Sequence, residues 1–503
     1  MKRLSRIGVL AAVTLVSSAH IGSPDTYYEG PAGPYRVRVI VRAPGIVPGL
    51  AQITVRLLDG ARAGTVTVLP VYWDPRTAAP PPPDTARIVS GDSTLYDAAL
   101  WLMTRGSYSV QVTVAGAAGT GTATVPVQAV ATRRLGLDVP LAAGLAAFGA
   151  FLFIGAVTIV GAAVREAVLP PGQAPDPRRL RRARWAAGGG GAVLALALFG
   201  GRGWWNGVDR DFARGLYHPL ASSAAVQTDH GQQILRFSIL DSAWRARQLT
   251  PLIPDHGHLV HLFVIGTGGE VFAHLHPLLV DSNTFDAALP PLPTGPYRVY
   301  ADITRESGFA ETLTDTVSVS SAGGAGTWRP TDPDDAWTEA TGVSGPEGGA
   351  GAGAGRTVAL GDGSRMTWQR GDSPLIAGHD APLRFTVTAP DGLPAALEPY
   401  MGMAGHLMLS RDDGTVFVHL HPLGTISWAA QQTFLLRGPA DTTRGMVGRR
   451  MTEAQAAMSQ MNAPTTAEVS FPYAFPKPGR YRLWVQVKRQ HRILTGVFDA
   501  EVR

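Results

Sequence analysis

The chain has 503 residues, 45% hydrophobic and 17% charged, with no cysteine; this length asks for two to four domains, and the missing thiols exclude disulfides, CxxC redox chemistry, thiolate zinc sites and cysteine nucleophiles. Of the net charge of +5, Lys2, Arg3 and Arg6 supply three, and six Arg against Glu166 and Asp176 within 165–184 supply four more, so the remainder carries −2. That distribution leaves no basic surface for nucleic acid.

Residues 1–19 read as a signal peptide: a basic start (Lys2, Arg3, Arg6), an apolar run from Ile7 to Val16, and Ser17-Ser18-Ala19 as a cleavage site. The alternative is an uncleaved anchor, although the run is short for a membrane span. Cleavage would expose His20 as an N-terminus able to chelate copper through its amine and imidazole, an ordinary exposed residue being the plainer reading. From 20 to 130, segments such as Tyr35 to Val41 and 107–114 alternate apolar with polar residues between Pro and Gly. This is the pattern of an immunoglobulin-like β domain.

Val139 to Val164 is free of charge over 26 residues, enough to cross a bilayer, and predicts a transmembrane helix over 137–164. A second helix is expected over 185–203, followed by Trp204 and Trp205 where an interfacial aromatic belt would lie. Between them, 165–184 is expected to be a short cytoplasmic loop carrying Arg178, Arg179, Arg181, Arg182 and Arg184. With the signal removed, both large segments face the outside of the membrane.

The remainder contains an internal repeat. Leu235-Arg236-Phe237 matches Leu383-Arg384-Phe385, and His261-Leu262 followed by Val271-Phe272-Ala273-His274-Leu275-His276-Pro277 matches His406-Leu407 followed by Val416-Phe417-Val418-His419-Leu420-His421-Pro422. Gly295-Pro296-Tyr297 to Tyr300 matches Gly479-Arg480-Tyr481 to Trp484. Two domains of one fold are therefore expected, 222–320 and 366–503, joined by a flexible Gly/Ala/Pro/Asp-rich linker over 321–365. The second copy carries an insert at 425–466. The fold class that results is mainly β, with three immunoglobulin-like or cupredoxin-like β-sandwich domains plus two transmembrane helices.

Eight of the thirteen histidines fall in or just before the two matching motifs. Each motif reads as a hairpin. Centred on Thr267 and Gly268, the first would place His261 opposite His274, with His276 on the same face; the second, turning at Asp412-Asp413-Gly414, would do the same for His406, His419 and His421. Three imidazoles on one face suit Zn²⁺ or Cu²⁺. Upstream, His256 and His258 align with Met401 and Met403 as accessory ligands, and Met366, Met408, Met446, Met451, Met458 and Met461 bring eight of the ten methionines into the second copy. Thioether favours soft Cu(I), so copper is preferred and zinc is the alternative. Two plainer readings stand beside these. The hairpins could be held by His-to-backbone hydrogen bonds inside a sandwich, and Met458 and Met461, three apart, suit one apolar face of a short helix.

The signal, the β domain followed by two helices, and the two HLHP motifs resemble bacterial membrane proteins with YtkA-like or CopC-like extracytoplasmic β sandwiches, over 250–303 and 397–487. The resemblance implies an immunoglobulin-like or cupredoxin-like fold and, for CopC-like members, periplasmic copper carriage. A tandem hairpin pair is not the usual CopC ligand arrangement, so no ligand is carried over from that family.

Enzyme signatures are weak. The only lysines are Lys2, Lys477 and Lys488, none in a P-loop context. There is no GxSxG elbow, and Gly91-Asp92-Ser93, Gly371-Asp372-Ser373 and the Asp255/His258 pair are better explained by turns. The expectation is a non-catalytic protein of the bacterial inner membrane whose extracytoplasmic domains bind or pass copper. The alternative is an envelope scaffold binding another envelope protein or a glycan. Neither apolar run, Val139 to Val164 or Trp185 to Gly201, contains Asp, Glu, His or Lys, so the two helices are read as anchors.

Overall fold

The computed structural model describes residues 25–503 apart from 78, 171, 321–327, 341–355, 382, 439–440, 442–444 and 460–465. The expected signal peptide, His20 and Met461 lie outside the described residues. The described chain divides into two units, 130–218 and the remainder.

The unit 130–218 is a pair of helices, Val139–Glu166 and Pro177–Arg214, both long and apolar enough to cross a membrane. They run antiparallel. Gly190 lies against Val160, Gly191 against Val157 and Gly161 against Ala187, where small residues let the backbones approach. The second helix starts earlier and ends later than its apolar stretch implies, and the expected loop 165–184 is a loop only up to Asp176. Pro177 opens the helix at a position that needs no N–H, and Asp176 Oδ1 accepts from the Arg179 N–H at 2.7 Å. The Arg cluster from Arg178 to Arg184 is therefore helical. At 38 residues, this helix is about 57 Å long, well beyond the ~30 Å hydrocarbon core.

The other unit is β throughout, with six sheets forming three sandwiches. In the N-terminal one, Tyr35–Arg42 buries Tyr35, Val37, Val39 and Val41 on one face and turns Arg36, Arg38 and Arg42 outward, as its alternation requires. In the first repeat, Gln232–Ile239 and its neighbours face a sheet ordered Ala310–Val319, Gly295–Thr304, Val260–Gly266, Val271–Leu275 and Ala336–Glu339. The second repeat opposes a sheet ordered Phe417–Leu420, His406–Arg411, Gly479–Arg489 and Arg492–Val502 to one containing Leu383–Thr388.

Residues 328–340, expected within a flexible linker, are built into the first repeat. Trp328 packs on its core and donates its indole N–H to the Ala288 carbonyl, and Ala336–Glu339 pairs with Val271–His274. Apolar Trp328 and Trp337 overcome the local Pro/Asp bias. Further on, Thr357–Ala359 is already a strand of the second repeat.

In each repeat the hairpin strands are buried on both faces, and this positions the site. In Val260–Gly266, Leu262 and Val264 join their own sandwich core, while Phe263 and Ile265 point the other way into a cluster shared with the second repeat. In His406–Arg411, Leu407 and Leu409 point inward and Met408 joins that shared cluster. The two repeats thus pack sheet on sheet with an approximate two-fold relation, in which matched residues exchange partners. Tyr300 stacks on Phe417 at 4.1 Å, and its counterpart Trp484 stacks on Phe272, the counterpart of Phe417, at 5.0 Å.

The N-terminal sandwich docks on the second repeat by continuing its hydrogen bonding. Glu29 N–H donates to the Leu423 carbonyl and Thr425 N–H to that of Tyr27. Gly424, at φ +115°, sits so close that a Cβ would stand 2.0 Å from the Tyr27 carbonyl oxygen.

Candidate metal centre between the two repeats

Both hairpins form, with a register two residues away from the expected one. Leu262 pairs with Leu275 and Phe263 with His274, so the first turn centres on Gly268 and Gly269; Leu407 pairs with Leu420 and Met408 with His419, centring the second on Asp413 and Gly414. Gly269 and Gly414 supply the positive φ these turns need. A slip of two residues preserves the face of every side chain, whereas a slip of one would have dispersed the histidines. His261, His274 and His276 therefore still converge, as do His406, His419 and His421, each group with ligand atoms within 4.8 Å of one another.

The imidazoles lie between the sandwiches and not inside one. His261 and His419 rings are 5.5 Å apart, His274 and His419 5.7 Å, and His274 and His406 6.4 Å. The two triads are thus neighbours across the repeat interface. His258 joins the first, its ring 4.0 Å from that of His276, with Asp332 Oδ2 at 3.8 Å from its Nδ1. His256, expected beside the first triad, lies against the second instead, 5.2 Å from His421 and 5.5 Å from His406. The cause is local. His256-Gly257 forms a left-handed turn bridged from Asp255 to His258, which throws successive side chains to opposite sides. Met401-Gly402 makes the same turn between Tyr400 and Met403.

Four of the methionines lie in apolar clusters. Met403 and Met451 pack with Ile253, Trp428 and Val447, Met408 fills the interface cluster, and Met366 belongs to the second sandwich core. Met401 is buried at the turn. Met458 falls on the helix Met446–Ser459, as its spacing suggests.

The hydrogen bonds fix which nitrogen of each ring is free. In the first triad, His261 Nε2 faces the Asp255 carbonyl at 3.0 Å, His274 Nδ1 faces Gln486 Oε1 at 2.9 Å, and His276 Nδ1 faces Asp335 Oδ1 at 3.1 Å. In the second, His406 Nε2 faces the Tyr400 carbonyl at 3.3 Å, His419 Nδ1 faces Asp302 Oδ2 at 3.2 Å, and His421 Nδ1 faces the Ile426 carbonyl at 3.0 Å. Four of the partners are carbonyl or amide oxygens and two are carboxyl groups; with Asp302 and Asp335 ionised, each neutral ring donates there and keeps its lone pair on the other nitrogen. The free nitrogens are Nδ1, Nε2 and Nε2 in both triads, and they are the ones that converge. His261 Nδ1 stands 3.2 Å from His274 Nε2, and His406 Nδ1 3.1 Å from His419 Nε2. Lone pair against lone pair at that distance is repulsive without a cation between them. Two ligands of a tetrahedral ion at ~2.0–2.1 Å are roughly 3.3 Å apart.

A proton is not that cation at neutral pH. Burial drives His274 down to about 3 and His256 to about 4, and burial followed by neighbouring imidazoles holds His261, His276, His406 and His419 well below the ordinary value. The rings stay neutral, which is the ligating form. His276 Nε2 and His421 Nε2 are buried without a hydrogen-bond partner, as are both nitrogens of His256. Burial also pushes Asp302 and Asp335 up to about 7.

Two of the acceptors cross the interface. Gln486 of the second repeat serves His274 of the first, and Asp302 of the first serves His419 of the second; the two residues are counterparts, paired with His406 and His261 in their own sheets. Gln486 Nε2 donates to Thr495 Oγ1 at 3.3 Å, which leaves Oε1 for His274. Asp302, Gln486, Asp332 and Asp335 were not singled out by sequence. A signal existed for two of them, since Asp302 and Gln486 each interrupt a short apolar run, Val299 to Ile303 and Leu483 to Val487.

Residues 357–503, less than half of the chain, match the model of a domain of unknown function, DUF8832. No curated protein matches the chain. Among solved structures, likenesses include a tetra-tandem repeat from the extending region of a large adhesion protein (8% identity, 95% of this chain and 82% of that one, TM-score 0.15). Salmonella alpha-2-macroglobulin (10%, 96% and 23%, 0.19) and the FN1-FN3 domains of chicken CNTN1 (9%, 92% and 97%, 0.14) are others. The chain spans under a quarter of the macroglobulin's length. At these TM-scores the likenesses carry no argument about function.

Proposed function

We propose that this protein is a membrane-anchored, extracytoplasmic metal-binding protein of the bacterial inner membrane that holds one divalent transition-metal ion in each histidine triad. The observation that carries the reading is the set of six converging lone pairs, each imposed by an oxygen acceptor on the far side of its ring. That arrangement is how proteins orient imidazoles toward a metal. The all-imidazole donor set, with Met366, Met403, Met408 and Met451 in apolar clusters, favours Cu(II), with Zn²⁺ as the alternative, over Cu(I). The resemblance of 250–303 and 397–487 to CopC-like sandwiches points the same way. Each triad would orient the ion and exclude water, and no catalytic step is assigned.

The test is elemental analysis of the full chain, purified without a histidine tag and loaded with Cu(II) or Zn²⁺. Two ions per chain are expected, falling to one in the His274→Ala/His276→Ala double variant. Burial keeps the rings neutral below the usual imidazole value of ~6.5, but Asp302 and Asp335, pushed up to about 7, cease to accept from His419 and His276 as they take up protons, so metal affinity should fall as pH drops through about 7. An unloaded chain, or a double variant that still holds two, overturns the proposal; its place would then pass to a scaffold that binds an envelope protein or glycan.

A further inference from the structure

We infer that the two sites form one metal pair shared by both repeats, with His256 of the first repeat completing the second triad; this rests on the metal reading proposed above. His256 is fully buried and neither ring nitrogen makes a close hydrogen bond, with Asp255 Oδ1 3.7 Å from Nε2 and the Met401 backbone beside it, and its ring lies 5.2 Å from His421 and 5.5 Å from His406. An imidazole taken out of water with both nitrogens unsatisfied is costly, and a ligand bond removes that cost. The second triad has three protein donors, one short of a closed tetrahedral site, and His256 is the imidazole beside it that belongs to neither triad.

The first site closes differently, with His258 and Asp332 beside His276. His258 is partly exposed and His256 is not. Within the triads themselves the first is buried throughout and His419 is the least buried ring of the second. The turn His256-Gly257-His258 sends one imidazole to each site, so it bridges the pair within three residues. His261 and His419, one from each triad, are 5.5 Å apart between ring centroids. Ions held by such adjacent triads are close enough for two Cu(II) spins to couple.

The experiment is a stepwise Cu(II) titration of the full chain in detergent, followed by electron paramagnetic resonance, on the wild type and on His256→Ala and His256→Gln. Expected are a dipolar-broadened spectrum with a half-field transition at two equivalents, and in both variants a single uncoupled ion with at least ten-fold weaker uptake of the second. Two magnetically isolated ions would overturn the pair, and variants that keep the coupled spectrum and the affinity would overturn the ligand role of His256, in either case leaving the triads as metal sites. Failure to take up either Cu(II) or Zn²⁺ would overturn the triads and the pair together. His256→Gln keeps a buried polar side chain, and the wild-type spectrum tests the pair even if both variants fold poorly.

Discussion

The two repeats share a hairpin, a register and the same three free nitrogens, yet they differ in what stands behind the rings. In the first, the third histidine leans on a carboxylate, Asp335; in the second, its counterpart His421 leans on the Ile426 carbonyl. The central histidine of the first is served by the amide of Gln486, that of the second by the carboxylate of Asp302. The turn before the hairpin carries His256 and His258 in one copy, Met401 and Met403 in the other. Since a carboxylate behind an imidazole raises its basicity more than an amide does, the sites should differ in affinity while sharing geometry. Duplication kept the converging atoms and changed their supports.

The largest effect that would sharpen this contrast comes from the crossed supports. With the second triad disabled by His406→Ala, Gln486→Leu should weaken metal binding at the first site about 10–100-fold. With the first disabled by His274→Ala, Asp302→Leu should do the same at the second. Competition against a chelator of known affinity reads both, and an unchanged constant in either background would break the crossed assignment.

A smaller effect separates the loops that follow the HLHP motifs. Gly424→Ala places a Cβ against the Tyr27 carbonyl at a φ unfavourable to alanine and should cost about 1–3 kcal/mol, seen as a lower denaturation midpoint and earlier protease cleavage of the N-terminal sandwich. Leu279→Ala, at the matching position of the first repeat, alters an exposed side chain and should stay within ~0.5 kcal/mol. Equal shifts would mean that the docking of the N-terminal sandwich contributes nothing.

The smallest effect concerns matched surface pairs. Arg236 meets Asp286 through two hydrogen bonds, whereas Arg384 meets Glu468 through one contact at 3.1 Å in a more exposed setting. Arg236→Ala should lower the midpoint slightly more than Arg384→Ala, both near the limit of measurement, as surface ion pairs contribute little.

Much of this was legible in the chain. Strand alternation from Tyr35 to Val41, the charge-free run from Val139 and the repeated HLHP motif announced the sandwiches, the helices and the triads, because each depends on local periodicity. What local periodicity could not supply was which faces meet. Phe263, Phe272, Tyr300, Phe417 and Trp484 read as ordinary strand residues, and only their stacking across the interface brings the triads together. Register failed by two residues in both hairpins because the turn residues, Gly266, Gly268 and Gly269 in one and Asp412, Asp413 and Gly414 in the other, allow more than one turn centre, and parity rescued the faces. Trp328 and Trp337 were the visible hint that the Pro/Asp-rich stretch returns to a core. His256 escaped because side-chain direction after a left-handed residue does not follow strand alternation.

The exchange of Gln486 and Asp302 between copies has a consequence for how the gene can change. A duplicated domain is ordinarily dispensable, since either copy retains what the ancestor had. Here each copy keeps its own histidines but borrows part of their support from its sibling, so losing one would leave the other with an unsupported imidazole. Complementary drift of this kind makes a duplication irreversible: the halves can no longer be inherited, shuffled or engineered apart.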